Sequence, residues 1–197
     1  MAVALRRLYT REDYLALEEA SAEKHEYYDG NIYPMAGGSV NHARIGGNVL
    51  LHLNTVLRGK PAETEPCEAF SSDLKLLVRA HNLYTYPDGM VVCGRLQLAP
   101  GRNDVITNPT VIVEVLSPST QLYDRTQKFE FYKAIPTFQA YLLIHQDRVQ
   151  VDYYHKTASG EWLLTELHER AAVVTLPTIN LEIPLRAIYE RVDWLET

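Results

Sequence analysis

The sequence predicts an α/β (α+β) fold: a mixed β-sheet core flanked by helices, closed by an antiparallel meander at its C-terminal end. Three observations predict it. The run Thr110-Val111-Ile112-Val113-Glu114-Val115-Leu116 is almost entirely aliphatic or β-branched, as a strand buried on both faces of a mixed or parallel sheet is. From Ser39 to Leu57, Ala43, Val49, Leu50, Leu53, Val56 and Leu57 form the apolar stripe of a long helix. Beyond Pro136, short apolar runs alternate with turn residues, the pattern of consecutive antiparallel strands.

Taken in order, Thr10 caps a short helix that carries Glu12 and Asp13 in its first turn and runs towards Ala20. Asp29-Gly30, between the aromatic-rich runs Lys24–Tyr28 and Asn31–Tyr33, is a two-residue hairpin signal. Pro34 and Gly37-Gly38 break the chain before the long helix, and Gly59 is placed to end it. Inside that helix, Gly46-Gly47 costs about 1 kcal/mol of helix propensity per residue. Close approach to the sheet, or to a substrate backbone, would account for the pair. Strands are predicted over Glu65–Phe70, Ser72–Arg79 and around Tyr84 to Cys93, and a polar connection over Leu98–Asn108. The Glu114 strand then leads through Ser117-Pro118-Ser119-Thr120 into a helix from Gln121 to Ile135. The meander comprises Phe138–His145, Arg148–His155 and Trp162–Leu167. A further strand is predicted over Thr178–Ile183, and Pro184 opens a terminal helix through Ile188 and Val192.

No linker or repeat divides the 197 residues, so one domain over 1–197 is expected. No apolar run approaches the roughly 18 residues of a membrane span. Met1 to Tyr9 lacks the apolar centre of a secretory signal. Cys67 and Cys93 have no metal-type spacing; they are expected to be small buried apolar residues, in keeping with a cytoplasmic protein. A net charge of −6 excludes a protein coated in basic charge for nucleic acid, but it leaves room for basic residues converging on one groove.

Glu114 organises the chemistry. A carboxylate on a buried strand is expensive unless a cation, a metal or several donors meet it. Asp88 lies 26 residues earlier at a strand end, and two such carboxylates can converge on a hard divalent cation. Pro87-Asp88-Gly89 is equally an ordinary turn sequence. Lys128 falls between Tyr132 and Ile135 on the helical wheel, at the edge of the buried face, where it could lean over the sheet. Its competing reading is a solvent-exposed i, i+4 pair with Asp124. The remaining histidines have no mutual ligand spacing.

These residues carry a resemblance. The stretches are Tyr9-Thr10 with Glu12-Asp13-Tyr14-Leu15, Lys24-His25-Glu26-Tyr27 with Asp29-Gly30, and Met35-Ala36-Gly37-Gly38-Ser39 with His42. They continue through Ser72-Asp73-Leu74-Lys75, Tyr86-Pro87-Asp88, Asn108-Pro109, Val113 to Thr120, Asp124-Arg125, Lys128 and Tyr132. The chain resembles the Uma-type restriction endonuclease family (domain-of-unknown-function family 820), within the PD-(D/E)XK nuclease superfamily. The resemblance implies a restriction-endonuclease-like fold and hydrolysis of DNA phosphodiester bonds with Mg²⁺, or alternatively Mn²⁺. It implies Asp88 and Glu114 as metal-binding catalytic carboxylates, with Glu26 as a third acidic residue and metal ligand of the site. The lysine expected two residues after Glu114 is Leu116 here, and Lys128 fits a lysine displaced to the following helix. Lys75 is the runner-up lysine; His42, Arg44, Lys75 and Arg125 are the candidate substrate contacts. By analogy, a homodimer would present two sites to the two strands of DNA. The alternative is a domain that keeps the fold, has lost catalysis, and binds nucleic acid or protein.

Overall fold

The computed structural model describes residues 8–35, 37–61 and 66–194. The amino-terminal start, Ala36 of the quoted motif and Glu65 of the predicted strand lie outside these described residues.

Helix α1 (Arg11–Ala20) opens on a capping box in which the Thr10 hydroxyl accepts from Asp13 N–H and the Asp13 carboxylate accepts from Thr10 N–H. The hairpin of β1 (His25–Tyr28) and β2 (Asn31–Pro34) turns through Asp29 (φ 42°) and Gly30 (φ 83°). Two positive φ angles match the right-handed twist of the strands, which explains the Asp-Gly pair. Helix α2 (Val40–Arg58) is capped by the Ser39 hydroxyl and buries Ile45, Val49, Leu53 and Leu57. Then come β3 (Cys67–Ser71), β4 (Lys75–Val78), β5 (Leu83–Thr85), β6 (Gly89–Cys93), β7 (Val105–Ile106) and β8 (Val111–Leu116). Helical segments α3 (Gln121–Tyr123) and α4 (Phe129–Lys133) flank a π-helical turn, Asp124–Lys128. The chain ends with β9 (Ala140–His145), β10 (Val151–Lys156), β11 (Trp162–Leu167), β12 (Val173–Leu176), β13 (Leu181–Pro184) and α5 (Leu185–Ile188).

The strands form three sheets, ordered β2-β1-β5-β4-β7, β11-β10-β9-β8-β6-β3 and β12-β13. In the six-stranded sheet only β8 and β9 are parallel, and the helical stretch from Gln121 to Lys133 makes their crossover. Alternation along β8 divides the core. Val111, Val113 and Val115 pack with α2, α5 and the β12–β13 pair. Ile112 and Leu116 pack with Phe129, Phe131 and Tyr132, and with Leu76, Val78 and Leu83 of the five-stranded sheet. Glu114 belongs to this second face, between two sheets and a helix.

The sequence misses some features, for physical reasons. The polar connection Leu98–Asn108 contains β7, two fully buried residues paired in parallel with β4 and too short to show a period. The predicted strand Ser72–Arg79 narrows to β4, followed by a 3₁₀ turn, Arg79–His81. The predicted strand Thr178–Ile183 divides at Asn180 (φ 44°) into a 3₁₀ turn and β13, and its partner β12 carried no prediction. The terminal helix stops at Ile188, before Val192. The expectation of two separate apolar cysteines is overturned. Cys67 and Cys93 are register partners on β3 and β6, with Cα atoms 4.0 Å apart, and form a disulfide. Disulfides are characteristic of oxidising compartments, so the cysteines give no support to a cytoplasmic location. Among the described residues, no helix is long and apolar enough to cross a membrane.

Candidate active site

Glu114 is 4 % exposed and Lys128 5 %, so the question is what surrounds a buried carboxylate and a buried ammonium. Lys128 Nζ lies 3.0 Å from Glu114 Oε1, 3.3 Å from Glu26 Oε1 and 3.4 Å from Asp124 Oδ1. Tyr132 Oη donates to the same Glu114 oxygen at 2.8 Å. Three chain segments meet at one ammonium: β1 brings Glu26, β8 brings Glu114, and the π turn brings Asp124 and Lys128. The Thr85 hydroxyl on β5 donates to Glu26 and fixes it from the neighbouring strand. π-Turns are rare and concentrate at functional sites.

Burial pushes the Glu114 carboxyl up to about 8, against the opposing pull of Lys128. Asp124 is raised for the same reason, again with Lys128 opposing. Burial disfavours the charge on Lys128, but Glu114, Glu26, Tyr132 and Asp124 outweigh it and hold the ammonium protonated well above its ordinary range. One lysine therefore serves three carboxylates.

Asp88 completes the group. Gly89 pairs with Val113, so the chain enters β6 beside Glu114, and Asp88 Oδ2 accepts from Val115 N–H at 2.7 Å. A Cβ on Gly89 would meet Val113 only at ordinary contact distance, so the glycine leaves the strand pairing intact. His42, in the first turn of α2, sets its Nε2 3.4 Å from Asp88 Oδ2. The hydrogen bond to Asp88 raises His42 above its usual pKa, against burial. Gly38 makes room for that ring, because a Cβ there would stand 2.8 Å from His42 Nδ1. Glu26, His42, Asp88, Glu114, Asp124 and Lys128 line one cleft of about 1280 Å³, bounded also by the β1–β2 hairpin, α2 and the loop Ser117–Thr120, while Thr85 and Tyr132 stand behind it.

A family model described as "Uma2: Putative restriction endonuclease" matches residues 11–186. The chain belongs to the Uma2 family. Two proteins of Synechocystis sp. (strain ATCC 27184 / PCC 6803 / Kazusa), each described as uncharacterized, are similar to it. One, slr1290, is 39 % identical over 90 % of this chain and 90 % of its own. The other, sll1609, is 39 % identical over 85 % of this chain and 92 % of its own. A crystal structure described as "a putative nuclease belonging to DUF820", from Anabaena variabilis ATCC 29413, shares the fold. Its TM-score is 0.71 at 20 % identity, covering 90 % of this chain and 96 % of that one.

Within this Uma2 fold the remaining predicted residues separate. Arg44 is exposed and absent from the cleft, because residues two apart on a helix point to different faces. Lys75 is a buried partner of Asp104 at 2.7 Å and also lies outside the cleft. Arg125 is taken by Asp152 and His145 on the far side of its turn. Glu26 is tied to Lys128 and Thr85 instead of joining Asp88 and Glu114: among the described residues no three Asp, Glu, His or Cys side chains are set around a common point for a metal. Asp124 was read from sequence only as a surface partner of Lys128; the pair exists, but it is buried. Lys24 and Tyr33, which line the cleft, carried no site prediction. The β1–β2 register pairs Tyr33 with Glu26, and that spacing follows from the two-residue turn, so the signal was present.

The donor set still fits a hard cation. Among the described residues none donates a hydrogen bond to Asp88 Oδ1 or Glu114 Oε2, and both residues line the cleft. Four carboxylates share one lysine and one histidine, and oxygen-seeking Mg²⁺ or Mn²⁺ would favour the ionised form of a carboxyl that burial otherwise pushes up. Mg²⁺ keeps several waters, so two protein carboxylates suffice.

Proposed function

We propose that the chain is a divalent-cation-dependent endonuclease that hydrolyses DNA phosphodiester bonds in this cleft. The observation that carries the reading is the buried Lys128 ammonium 3.0 Å from Glu114, beside an Asp88 bonded to the same strand. Asp88 and Glu114 would hold Mg²⁺ or Mn²⁺. When bound, such a cation would polarise the phosphate and lower the pKa of a coordinated water. Lys128, protonated and immobile, orients the attacking water and neutralises charge that grows on the phosphate oxygens. Glu26 and Asp124 are positioning residues that fix where the ammonium stands. His42 presents its raised, readily protonated ring to the same floor. A homodimer would offer two such clefts to two strands; a monomer would offer one.

Plasmid and single-stranded DNA, incubated with Mg²⁺ or Mn²⁺, test this. Cleavage by the wild type, lost by at least about 10³-fold in Asp88→Ala and in Glu114→Ala, is the expected result. Undiminished cleavage in both variants would overturn it. A second reading has its own observation: Lys128 compensates Glu114 without any cation. A non-catalytic relative that binds nucleic acid or protein would keep that ion pair, and would show DNA binding indifferent to metal and no cutting.

A further inference from the structure

The floor of the cleft is ionic, but its walls are not those of a duplex-binding groove. Duplex DNA carries one negative charge per roughly 1.7 Å of axis, and proteins that follow it line the path with Lys and Arg. Among the described residues, Lys24 and Lys128 are the only Lys or Arg that line this cleft, and Lys128 is occupied by carboxylates. Lys24 stands at the rim, bonded to the Ser72 carbonyl at 2.7 Å. Glu23 adds a negative charge beside it.

What the walls do offer is an unpartnered ring. Tyr33 on edge strand β2 is 47 % exposed, lines the cleft, and among the described residues stacks on no other ring. Its register partner on β1 is Glu26, whose carboxylate is 3.3 Å from Lys128. Directly opposed residues of an antiparallel pair share a face, with Cβ atoms about 4.5–5.5 Å apart. Tyr33 therefore stands one cross-strand step from the ionic floor. A second wall is bare. Gly46 and Gly47 of α2 both line the cleft, and a Cβ on either would meet nothing within 4 Å. The sheet does not fill that space, so the glycine pair is not explained by packing. Pro34 and Met35 continue the apolar surface next to Tyr33.

We infer that the cleft takes a DNA strand whose bases are unpaired next to the scissile phosphate, with one base stacked on Tyr33. This rests on the nuclease reading and adds the substrate form. Aromatic rings hold unpaired bases irrespective of sequence, and each stack contributes enough to be read kinetically. A paired base could not reach a ring seated inside the cleft without leaving its helix.

The test compares wild type, Tyr33→Phe and Tyr33→Ala on three oligonucleotides of one sequence: single-stranded, fully paired, and paired with a four-base unpaired bubble. The wild type is expected to cut the single strand and the bubble at least about 10-fold faster than the paired form. Tyr33→Ala should raise KM for the single strand on the order of 10-fold with kcat little changed, the size of one lost stack. Tyr33→Phe should behave as wild type. Equal cutting of paired and unpaired DNA, or an unchanged KM in Tyr33→Ala, overturns the inference while the nuclease reading stands. Should the wild type cut none of the three, the nuclease reading fails and fluorescence anisotropy with the same oligonucleotides decides this one. Tighter binding of the single strand, weakened by Tyr33→Ala only, supports it; equal binding of all forms overturns it.

Discussion

Two buried ionic clusters grow from the same π turn, and they differ in balance. On one side Lys128 meets Glu114, Glu26 and Asp124. On the other, Arg125, only three residues away, meets a single fully buried carboxylate, Asp152, with His145 and Gln150 alongside. Their carboxyls move in opposite directions. Burial alone would raise Asp152, but hydrogen bonds from His145, Gln150 and Arg125 bring it down to about 2. Glu114, with its lysine shared, is pushed up to about 8. The Arg125 cluster sets one carboxylate against one guanidinium, whereas the Lys128 cluster sets three carboxylates against one ammonium. This balance separates the two better than burial does, because Asp152 and Glu114 are both buried.

The largest test of the contrast is Lys128→Met. Removing one partner of a buried ion pair leaves charge uncompensated and typically destabilises by about 3–5 kcal/mol. Urea unfolding should show that loss, and millimolar Mg²⁺ or Mn²⁺ should restore part of it. Metal-independent stability of Lys128→Met equal to wild type would break the comparison. Next in size is Asp152→Asn, which strands Arg125. A loss of about 2–4 kcal/mol is expected, with no recovery on adding cation.

Acid unfolding sharpens the same point. Because the Asp152 pKa is depressed in the folded state, its contribution is present above the unfolded value near 4 and is lost as pH falls from there through about 2. The wild type should lose on the order of 2 kcal/mol over that window, and Asp152→Asn should lack that component. The smallest effect belongs to Arg44→Ala: exposed and outside the cleft, it should change stability by under about 0.5 kcal/mol and DNA cleavage by less than twofold. A large drop in cleavage there would return Arg44 to the substrate path.

Much of this was legible in the chain. Glu114 announced itself as a carboxylate in an apolar run, and Lys128 by its place on the helical wheel. Arg125 and Asp124 were not separable, because the π turn that sends them to opposite sides leaves no mark on a 3.6-residue period. The pairing of Cys67 with Cys93 depends on a register between strands far apart in sequence, which local patterning does not encode. Lys75, on a strand and beside an aspartate, looked like a site lysine; its true partner, Asp104, sits in the loop that leads into β7. The sequence thus marks which residues are out of place in their surroundings, and tertiary pairing decides which of them meet.

The β8–β9 crossover has a consequence for how the protein comes into being. Glu26, Asp88, Glu114 and Lys128 come from four stretches of chain, and the strand that carries Glu114 is held between β6 and β9. Long-range and parallel pairings form late, after their loop-closure entropy has been overcome. A chain emerging from the ribosome would present every acidic residue of the cleft before β9 exists to lock β8 in place. The assembled acidic cleft would then be a property of the finished sheet alone, absent from unfinished or unfolded copies.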